Sequence, residues 1–346
     1  MSTKRKDVAR AYIKYREERT KEREWNNKMM RAAKEKLTGT KIDNQNANVD
    51  EHSFGGRRGE FESAILKQYA LDNCMSKMAR ENHLNNEIYI HDLDHYATGD
   101  HNCLSVPFDE LLANGFNTRQ TDIRPANSVN TAFQLLAVLF QLQSLQQFGG
   151  VAATHLDWTM VPYVRKSFWK HYKTGLEYFE NESNITLNDS PEKISINSPD
   201  WDVYPKVANY ALNETKKELS QAVEGMFHNL NTLQSRSGNQ LPFTSINYGT
   251  CTLPEGQMVI EALLEGALKG TGKHHRTPIF PCNIFQVMSG VNKENGTPNY
   301  KYYRLALKCT AKRLYPNYAN CDWSGNAGYD KNDPTTYFST IKYLVA

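Results

Sequence analysis

The chain has 346 residues, of which 39% are hydrophobic and 23% charged, so it can bury one large core or two ordinary ones. No window approaches the roughly 18 to 20 consecutive apolar residues of a membrane span, and the basic start is followed by charged sequence rather than an apolar stretch. These features argue against a membrane protein and predict a soluble protein of the cytoplasm.

Six cysteines are scattered along the chain, with no Cys-x-x-Cys pair and no His/Cys spacing typical of structural zinc. We therefore expect free thiols in a reducing compartment and no metal site. The formal charge of +3 is unevenly distributed, because residues 1–36 hold thirteen Lys or Arg against six Asp or Glu. The rest of the chain is about neutral to acidic.

The first segments in chain order are a charged helix and a linker. Residues 7–37 are helix formers with interleaved charges, which predicts one or two exposed helices; nucleic-acid binding by this basic segment is the alternative. Residues 38–60 are rich in Gly, Asn and Asp and are predicted to be a linker. Its glycines at positions 55, 56 and 59 lack the strand, loop, helix and lysine of a phosphate-binding loop.

The rest of the chain alternates between helical and strand-like patterns. Apolar spacing predicts an amphipathic helix over 61–82 and a strand at Ile88-Tyr89-Ile90, and the stretch 127–147 is apolar nearly all round, as in a buried helix. Further segments follow the same two patterns: helices over 157–179, 206–233, 258–268 and 300–314, and strands over 242–248 and 277–288. A polar loop is predicted over 181–199. This alternation predicts an α/β architecture.

Several motifs recur in a fixed order from about residue 46 to residue 340: Ile90-His-Asp-Leu-Asp94, His101-Asn-Cys-Leu104, Leu112-Ala-Asn-Gly-Phe116, Gln147-Phe-Gly-Gly150, Pro162-Tyr-Val164, Pro242-Phe-Thr244, Thr277-Pro-Ile-Phe-Pro281 and the stretch from Leu305 to Pro316. Together they resemble the anaerobic (class III, glycyl-radical) ribonucleoside-triphosphate reductases. Each motif alone is weak, because a single His-Asp turn or Gly-Gly bend occurs in many folds.

The resemblance implies a fold and a function. It implies an α/β chain forming part of a ten-stranded barrel over residues 61–346, preceded by a helical remnant of an ATP-cone at 1–37 and the linker at 38–60. The family converts ribonucleoside triphosphates into deoxyribonucleotides for DNA synthesis by oxygen-sensitive radical chemistry.

Cys103 is the residue expected to carry chemistry. It matches the family cysteine that faces the ribose opposite the thiyl radical, and a cysteine suits this role because its S–H bond is weak and can donate a hydrogen atom. The alternative for any single cysteine is a small buried hydrophobe. Cys309 also lies in a matching stretch, where packing is the expected role.

The family's radical groups have no match in this sequence. The thiyl cysteine of a Met-Gly-Cys-Arg motif should follow Thr340, yet the chain reads Ile341 to Ala346. The glycyl-radical loop and the structural zinc site of four cysteines are also unmatched, and Ala327-Gly328-Tyr329 is interpreted as an ordinary glycine loop. We expect no cofactor in this chain, no reductase activity from it alone, and a complementing C-terminal fragment supplied by splicing or as a separate polypeptide.

The resemblance also implies partners. The helices at 127–147 and 157–179 correspond to elements of the family's dimer interface and specificity-effector site, where Lys170 and Arg124 are the expected contacts to the phosphates of dNTP or ATP effectors. Arg165 and Lys166 are further available cations, and a solvated helix face is the alternative for each. The other expected partners are the ribonucleoside triphosphate substrate, a radical-SAM activase and a second copy of the chain, with no membrane and no direct nucleic acid.

Two alternatives remain at this point. The chain could be a noncatalytic nucleotide-binding or dimerisation fragment, which deoxynucleotide binding without turnover would favour. The turn from His91 to His95 could be read as a metal cluster, but alternate residues of an extended turn face opposite sides. The pair His274-His275 is interpreted as a surface loop, with a triphosphate contact as the alternative.

Overall fold

The computed structural model describes residues 3–38, 53–182, 185–187, 189–236, 240–323, 328 and 330–336. The chain divides into two compact units, one comprising residues 1–100 with 236–240 and the other comprising 101–235 with 241–346. Each unit has its own set of internal contacts and is described separately.

The first unit is helical. It contains α1 (Thr3–Thr38), α2 (Phe54–Tyr69), a π-helical turn (Ala70–Cys74), α3 (Lys77–Leu84) and a 3₁₀ turn (Leu93–His95). Residues 6–24 of α1 are exposed, whereas its later part packs on α2 through the edge of the Trp25 ring against Tyr69. Asp72 receives ion pairs from Lys28 at 3.2 Å and Arg80 at 3.0 Å. The charged N-terminal segment is therefore a solvated helix anchored near its C-terminal end.

The second unit is built on a parallel sheet of five strands in the order in which they occur: β1 (Leu104–Ser105), β4 (Val151–Ala153), β5 (Thr244–Tyr248), β6 (Cys282–Val287) and β7 (Asn317–Asn320). Leu104 lies opposite Val151, which lies opposite Thr244. A short antiparallel pair, β2 (Phe116–Asn117) and β3 (Asp122–Ile123), stands apart.

Helices connect the parallel strands and enclose the main core: α4 (Phe108–Asn114), α5 (Val129–Ser144), α6 (Leu156–Thr159), α7 (Val161–Phe179), a 3₁₀ turn (Pro199–Val203), α8 (Pro205–Leu230), α9 (Pro254–Lys269) and α10 (Tyr300–Arg313). Phe133 and Phe140 of α5, Phe227 of α8 and Tyr248 of β5 are fully buried in one apolar cluster. Each such side chain contributes about 1.5–3 kcal/mol by leaving water.

The predicted α/β architecture is confirmed as a parallel sheet with connecting helices, and the ten-stranded barrel stays a prediction. The predicted strand at Ile88-Tyr89-Ile90 is wrong, because this segment is irregular and the Ile90 N–H donates to the His83 ring rather than to a neighbouring strand. Sequence periodicity also missed the strands β1, β4 and β7, which are two to four residues long.

The predicted linker at 38–60 needs correction where the structure describes it. Residues 54–59 form the start of α2 despite their three glycines, because the Ser53 hydroxyl oxygen accepts the Gly56 N–H at 3.0 Å and caps the helix. Residues 39–52 lie outside the described residues. The further division into a cone remnant at 1–37 and a barrel at 61–346 stays a prediction.

Candidate active site

Cys103 lies directly before β1, at the edge of the parallel sheet, and its thiol is held by two hydrogen bonds. The thiol donates to Asn102 Oδ1 at 3.4 Å, and its sulfur accepts the backbone N–H of Gly150 at 3.3 Å. The residue is partly buried. A thiol with one donor and one acceptor partner has a defined orientation, which hydrogen-atom donation requires.

The turn before β4 provides the second side of this site. Phe148 donates its N–H to the His101 carbonyl at 3.0 Å, and Leu104 donates to the Gly150 carbonyl at 3.0 Å. The Gln147 side chain donates to the same Gly150 carbonyl at 2.6 Å. The turn and the segment that bears Cys103 are therefore bonded together on both sides of the sulfur.

Gly149 allows this close approach. A Cβ atom at position 149 would lie 2.4 Å from Asn102 Oδ1 and 2.6 Å from the Asn102 carbonyl carbon. No side chain fits there without moving the backbone beside Cys103. The Gly-Gly pair of the sequence motif is thus explained by contact with the Asn-Cys pair of another motif.

A second polar cluster lies at the carboxyl ends of the strands, where open α/β sheets commonly bind ligands. His155, two residues after β4, has Nε2 2.6 Å from Asp109 Oδ2 and Nδ1 2.8 Å from Thr154 Oγ1. Burial opposes the charged imidazolium, but the hydrogen bond and charge of Asp109 outweigh it and raise the pKa of His155. Burial likewise opposes the Asp109 carboxylate, yet His155 lowers the pKa of Asp109.

Asp157 fixes the loop that follows β5. Its fully buried carboxylate accepts the N–H groups of Gly249 and Cys251, both at 2.9 Å, while burial raises the pKa of Asp157 in spite of these bonds. The side-chain amides of Asn292 and Asn299 donate to the Gly249 carbonyl at 2.9 and 3.1 Å. This loop is held from several elements at once.

The two predicted effector contacts, Lys170 and Arg124, both belong to the second unit. Lys170 on α7 is 61% exposed and lies 3.6 Å from Glu218 on α8, which also bonds His171 at 2.7 Å. Burial opposes the Glu218 carboxylate, but His171 and Lys170 lower the pKa of Glu218 overall. Arg124 is exposed between β3 and α5. Among the described residues, no hydrogen bond or ion pair joins Lys170 to Arg124.

Arg165, a further predicted phosphate contact, has a structural role instead. Its Nε donates at 2.9 Å to Glu255, a fully buried carboxylate at the start of α9, and its Nη1 donates at 3.2 Å to the Lys193 carbonyl. Lys166 donates to the Ala126 carbonyl at 3.3 Å. The buried ion pair uses the Arg165 charge within the fold, so we do not assign it to an external phosphate.

The acidic and histidine-rich turn of the first unit forms local pairs. His91 contacts the neighbouring Asp92 carboxylate, His95 lies 2.7 Å from Asp100, and Asp94 accepts the Ser63 hydroxyl at 2.6 Å. Across the described ranges, no group of three or more His, Cys, Asp or Glu side chains could hold a metal ion. In the same part of the chain, no helix has the length and apolar character needed to cross a membrane.

The other cysteines have different surroundings from Cys103. Cys309 is buried on α10, where burial raises its pKa to about 11, and Cys74 is exposed. His274 and His275 lie in an exposed loop. Residues 337–346, which include the predicted break after Thr340, lie outside the described residues, as do Ala327 and Tyr329.

Residues 45–337 match the family model of the anaerobic ribonucleoside-triphosphate reductase. The chain belongs to this family. It is 30% identical over 325 residues to the anaerobic ribonucleoside-triphosphate reductase of Haemophilus influenzae, covering 93% of this chain and 42% of that protein. The reductase of enterobacteria phage T4 is 30% identical over 275 residues, 79% of this chain and 41% of that one. The chain thus spans about two fifths of these reductases.

The fold is also that of solved anaerobic reductases. The Thermotoga maritima anaerobic ribonucleotide reductase in complex with dATP and CTP matches 87% of this chain and 48% of its own length, at 13% identity and a TM-score of 0.55. The same enzyme with citrate in the active site matches with a TM-score of 0.56 at 14% identity, over 87% of this chain and 52% of that one.

Sequence reasoning missed several residues around the candidate reductase site. Gln147 is the first residue of the Gln147-Phe-Gly-Gly150 motif, but the sequence does not show that its side chain donates to the Gly150 carbonyl. His155, Asp109 and Asp157 come from segments that periodicity left unassigned or placed in a helix. The one available signal was a polar run directly after a short apolar strand, as in Thr154-His155.

Proposed function

We propose that this chain supplies the Cys103 side of the active site of an anaerobic ribonucleoside-triphosphate reductase, which makes deoxyribonucleotides for DNA synthesis. The observation that carries the proposal is the oriented Cys103 thiol between Asn102 and the Gly150 N–H. Reduction replaces the ribose 2′-hydroxyl by hydrogen and releases water, which consumes two electrons and two protons. Cys103 donates one hydrogen atom from its S–H bond. With formate as the reductant, formate returns a hydrogen atom to Cys103, supplies the second electron to the ribose and leaves as CO2; with a thiol as the reductant, the thiol supplies the second hydrogen atom and its sulfur is left joined to Cys103 in a disulfide.

We propose that the family's thiyl cysteine, glycyl radical and structural zinc belong to the part of the reductase that follows the residues matched here, and that a radical-SAM activase acts on that part. Those groups would supply the radical that removes the ribose 3′ hydrogen. The residues of this chain orient Cys103: the Asn102 side-chain oxygen accepts the thiol hydrogen, and the Gly150 N–H donates to the sulfur.

The test is an anaerobic turnover assay of the chain together with a polypeptide that carries the remaining reductase sequence and its activase. Formation of dCTP from CTP is measured for the unmodified chain, for Cys103→Ser and for Cys74→Ser, a matched substitution of an exposed thiol. We expect Cys103→Ser to abolish dCTP formation and Cys74→Ser to retain it. Full turnover by Cys103→Ser would overturn the proposal.

We further propose that α5 and α7 take part in a homodimer and an effector site, with Lys170 and Arg124 contacting the phosphates of a dNTP or ATP. Their exposure leaves both cations accessible to a ligand. A solved Thermotoga maritima relative, with a TM-score of 0.52, is described with dATP bound in its specificity site. Binding of dATP should weaken in Lys170→Ala and Arg124→Ala but not in Lys217→Ala, an exposed lysine paired with Glu214. Equal affinity in all three variants would contradict these contacts.

The alternative is a noncatalytic fragment that binds nucleotides or dimerises. The observation in its favour is the exposure of Lys170 and Arg124, because nucleotide binding by these two cations does not require Cys103. Binding of dATP by the chain, combined with no dCTP formation even beside the complementing polypeptide, would support this alternative over the reductase.

A further inference from the structure

We propose that Gln147 is a positioning residue for Cys103: it fixes the Gly150 backbone, whose N–H holds the cysteine sulfur. The importance of this role for turnover rests on the proposed function of Cys103. The contacts made by Gln147 involve only the turn that holds the thiol.

The Gln147 side chain is held at both ends of its amide. It is 5% exposed, its Nε2 donates to the Gly150 carbonyl at 2.6 Å, and its Oε1 accepts from Gln143 Nε2 at 3.0 Å. A buried amide with both groups bonded has one favoured orientation, because rotating it would leave a buried donor or acceptor unsatisfied. Gln147 is therefore a rigid support rather than a flexible surface side chain.

The support acts on the residue that needs it. Gly149 and Gly150 are glycines, the residue type with the greatest backbone freedom. A larger residue does not fit at position 149, because Asn102 lies against it. The Gly150 carbonyl accepts from Gln147 and from Leu104, while its N–H donates to Cys103. Gln147 supplies a restraint that the glycine sequence lacks.

An ordinary helix-capping role does not explain the same contacts. Helix α5 ends at Ser144, and the carbonyl that Gln147 bonds belongs to Gly150, outside the helix. The side chain thus connects the end of the α5 segment to the turn beneath Cys103. A purely stabilising role would change the free energy of unfolding without changing the chemistry of one thiol.

The experiment measures iodoacetamide alkylation of each cysteine over a pH series, resolved by peptide mass spectrometry on the 346-residue chain. Gln147→Met keeps the approximate side-chain size and removes both amide bonds. Gln141→Met is the matched control. Gln141 lies on α5, and its side-chain amide donates to Asn229 at 2.6 Å instead of to the glycine turn. The exposed Cys74 is the internal reference.

In Gln147→Met, alkylation of Cys103 should become faster relative to Cys74 across the pH series, because a loosened Gly150 turn opens more often and exposes the partly buried sulfur to the reagent. Hydrogen exchange in the 148–151 segment should accelerate by about tenfold, as expected for loss of one hydrogen bond. Gln141→Met should leave both unchanged. An unchanged Cys103 alkylation rate in Gln147→Met, or an equal increase in Gln141→Met, would overturn the proposal.

Gln143→Met provides a second variant in case Gln147→Met does not fold. It removes only the outer bond to Gln147, so a smaller increase in Cys103 alkylation is expected, and no increase overturns the proposal. Alkylation needs no turnover. Retained dCTP formation by Cys103→Ser would therefore reject the proposed function while leaving the alkylation result, and the two failures are distinguishable.

Discussion

Gly149 shows at the residue scale how one missing Cβ shapes the candidate site. In Gly149→Ala the new methyl would meet the Asn102 backbone at 2.6–2.7 Å, so the start of β1 must move. We expect a loss of about 1–3 kcal/mol in the free energy of unfolding, measured by urea titration, together with an altered alkylation rate of Cys103.

Gly225 provides the control for that prediction. It lies within α8, and a Cβ there would have no neighbour within 4 Å. Gly225→Ala should stabilise the chain by about 0.5–1 kcal/mol through helix propensity. Similar behaviour of the two alanine variants would contradict the close approach of Gly149 and Asn102.

The pair His155–Asp109 predicts a pH dependence of stability. Because the pKa of His155 is raised above 6.5, its stabilising contribution is fully present below that value and is lost as pH rises through the higher folded pKa. The lowered pKa of Asp109 contributes stability above pH 3.8, lost as pH falls through the folded value. Asp157 and Asp333 also attract the charged ring.

Asp109→Asn should therefore lower the free energy of unfolding by about 1 kcal/mol in mildly acidic buffer; the loss is small because Asp109 is half exposed and its ion pair is screened. The loss should be smaller in alkaline buffer, because the His155 ring is then neutral. Urea unfolding of both chains at the two pH values measures this difference. The double variant Asp109→Asn, His155→Gln should lose the dependence attributable to the pair. A wild-type advantage that is constant with pH would contradict the charged-imidazole interpretation.

At the scale of elements, the buried pair Arg165–Glu255 joins α7, α9 and the segment before the 3₁₀ turn. Glu255 accepts from Arg165 at 2.9 Å and also from the Ile196 N–H at 2.9 Å. Arg165→Met leaves a buried carboxylate without its cation and should cost about 3–5 kcal/mol by urea unfolding.

Replacing both partners in Arg165→Met, Glu255→Met should recover much of that loss, because no buried charge then remains unpaired. Lys217→Met, at an exposed pair on α8, should change stability far less than Arg165→Met, because solvent screens that pair. A loss in Arg165→Met no larger than that of Lys217→Met would show that the buried pair does not hold these elements together.

At the scale of the whole molecule, the described parallel sheet has two edges, β1 and β7. Unpaired strand edges present free backbone donors and acceptors to other chains, and a net charge of +3 provides little repulsion between copies. We expect the isolated chain to self-associate in sedimentation velocity and to melt over a broad range. A monodisperse monomer with a sharp cooperative melt would contradict this prediction.

The family could be predicted from the sequence through eight motifs in collinear order. The α/β class and most long elements could be predicted from apolar periodicity, because a helix or strand of the core keeps its apolar face whatever it packs against. Helices α5, α7, α8 and α10 were predicted within a few residues of their observed ends. Cys103 could also be singled out, since its motif stood in collinear order with seven others.

The surroundings of that cysteine and the roles of several charged side chains depend on the tertiary structure. Strands β1 and β4 are too short to leave a periodic signal, and the hydrogen bond between Gly150 and Cys103 joins residues 47 positions apart. The predicted strand at 88–90 is absent because this apolar segment has no neighbouring strand to pair with. Arg165 was predicted to be an available cation, but its buried partner Glu255 lies 90 residues further along the chain. Pairing between distant residues depends on the packed backbone, and local sequence pattern carries no record of it.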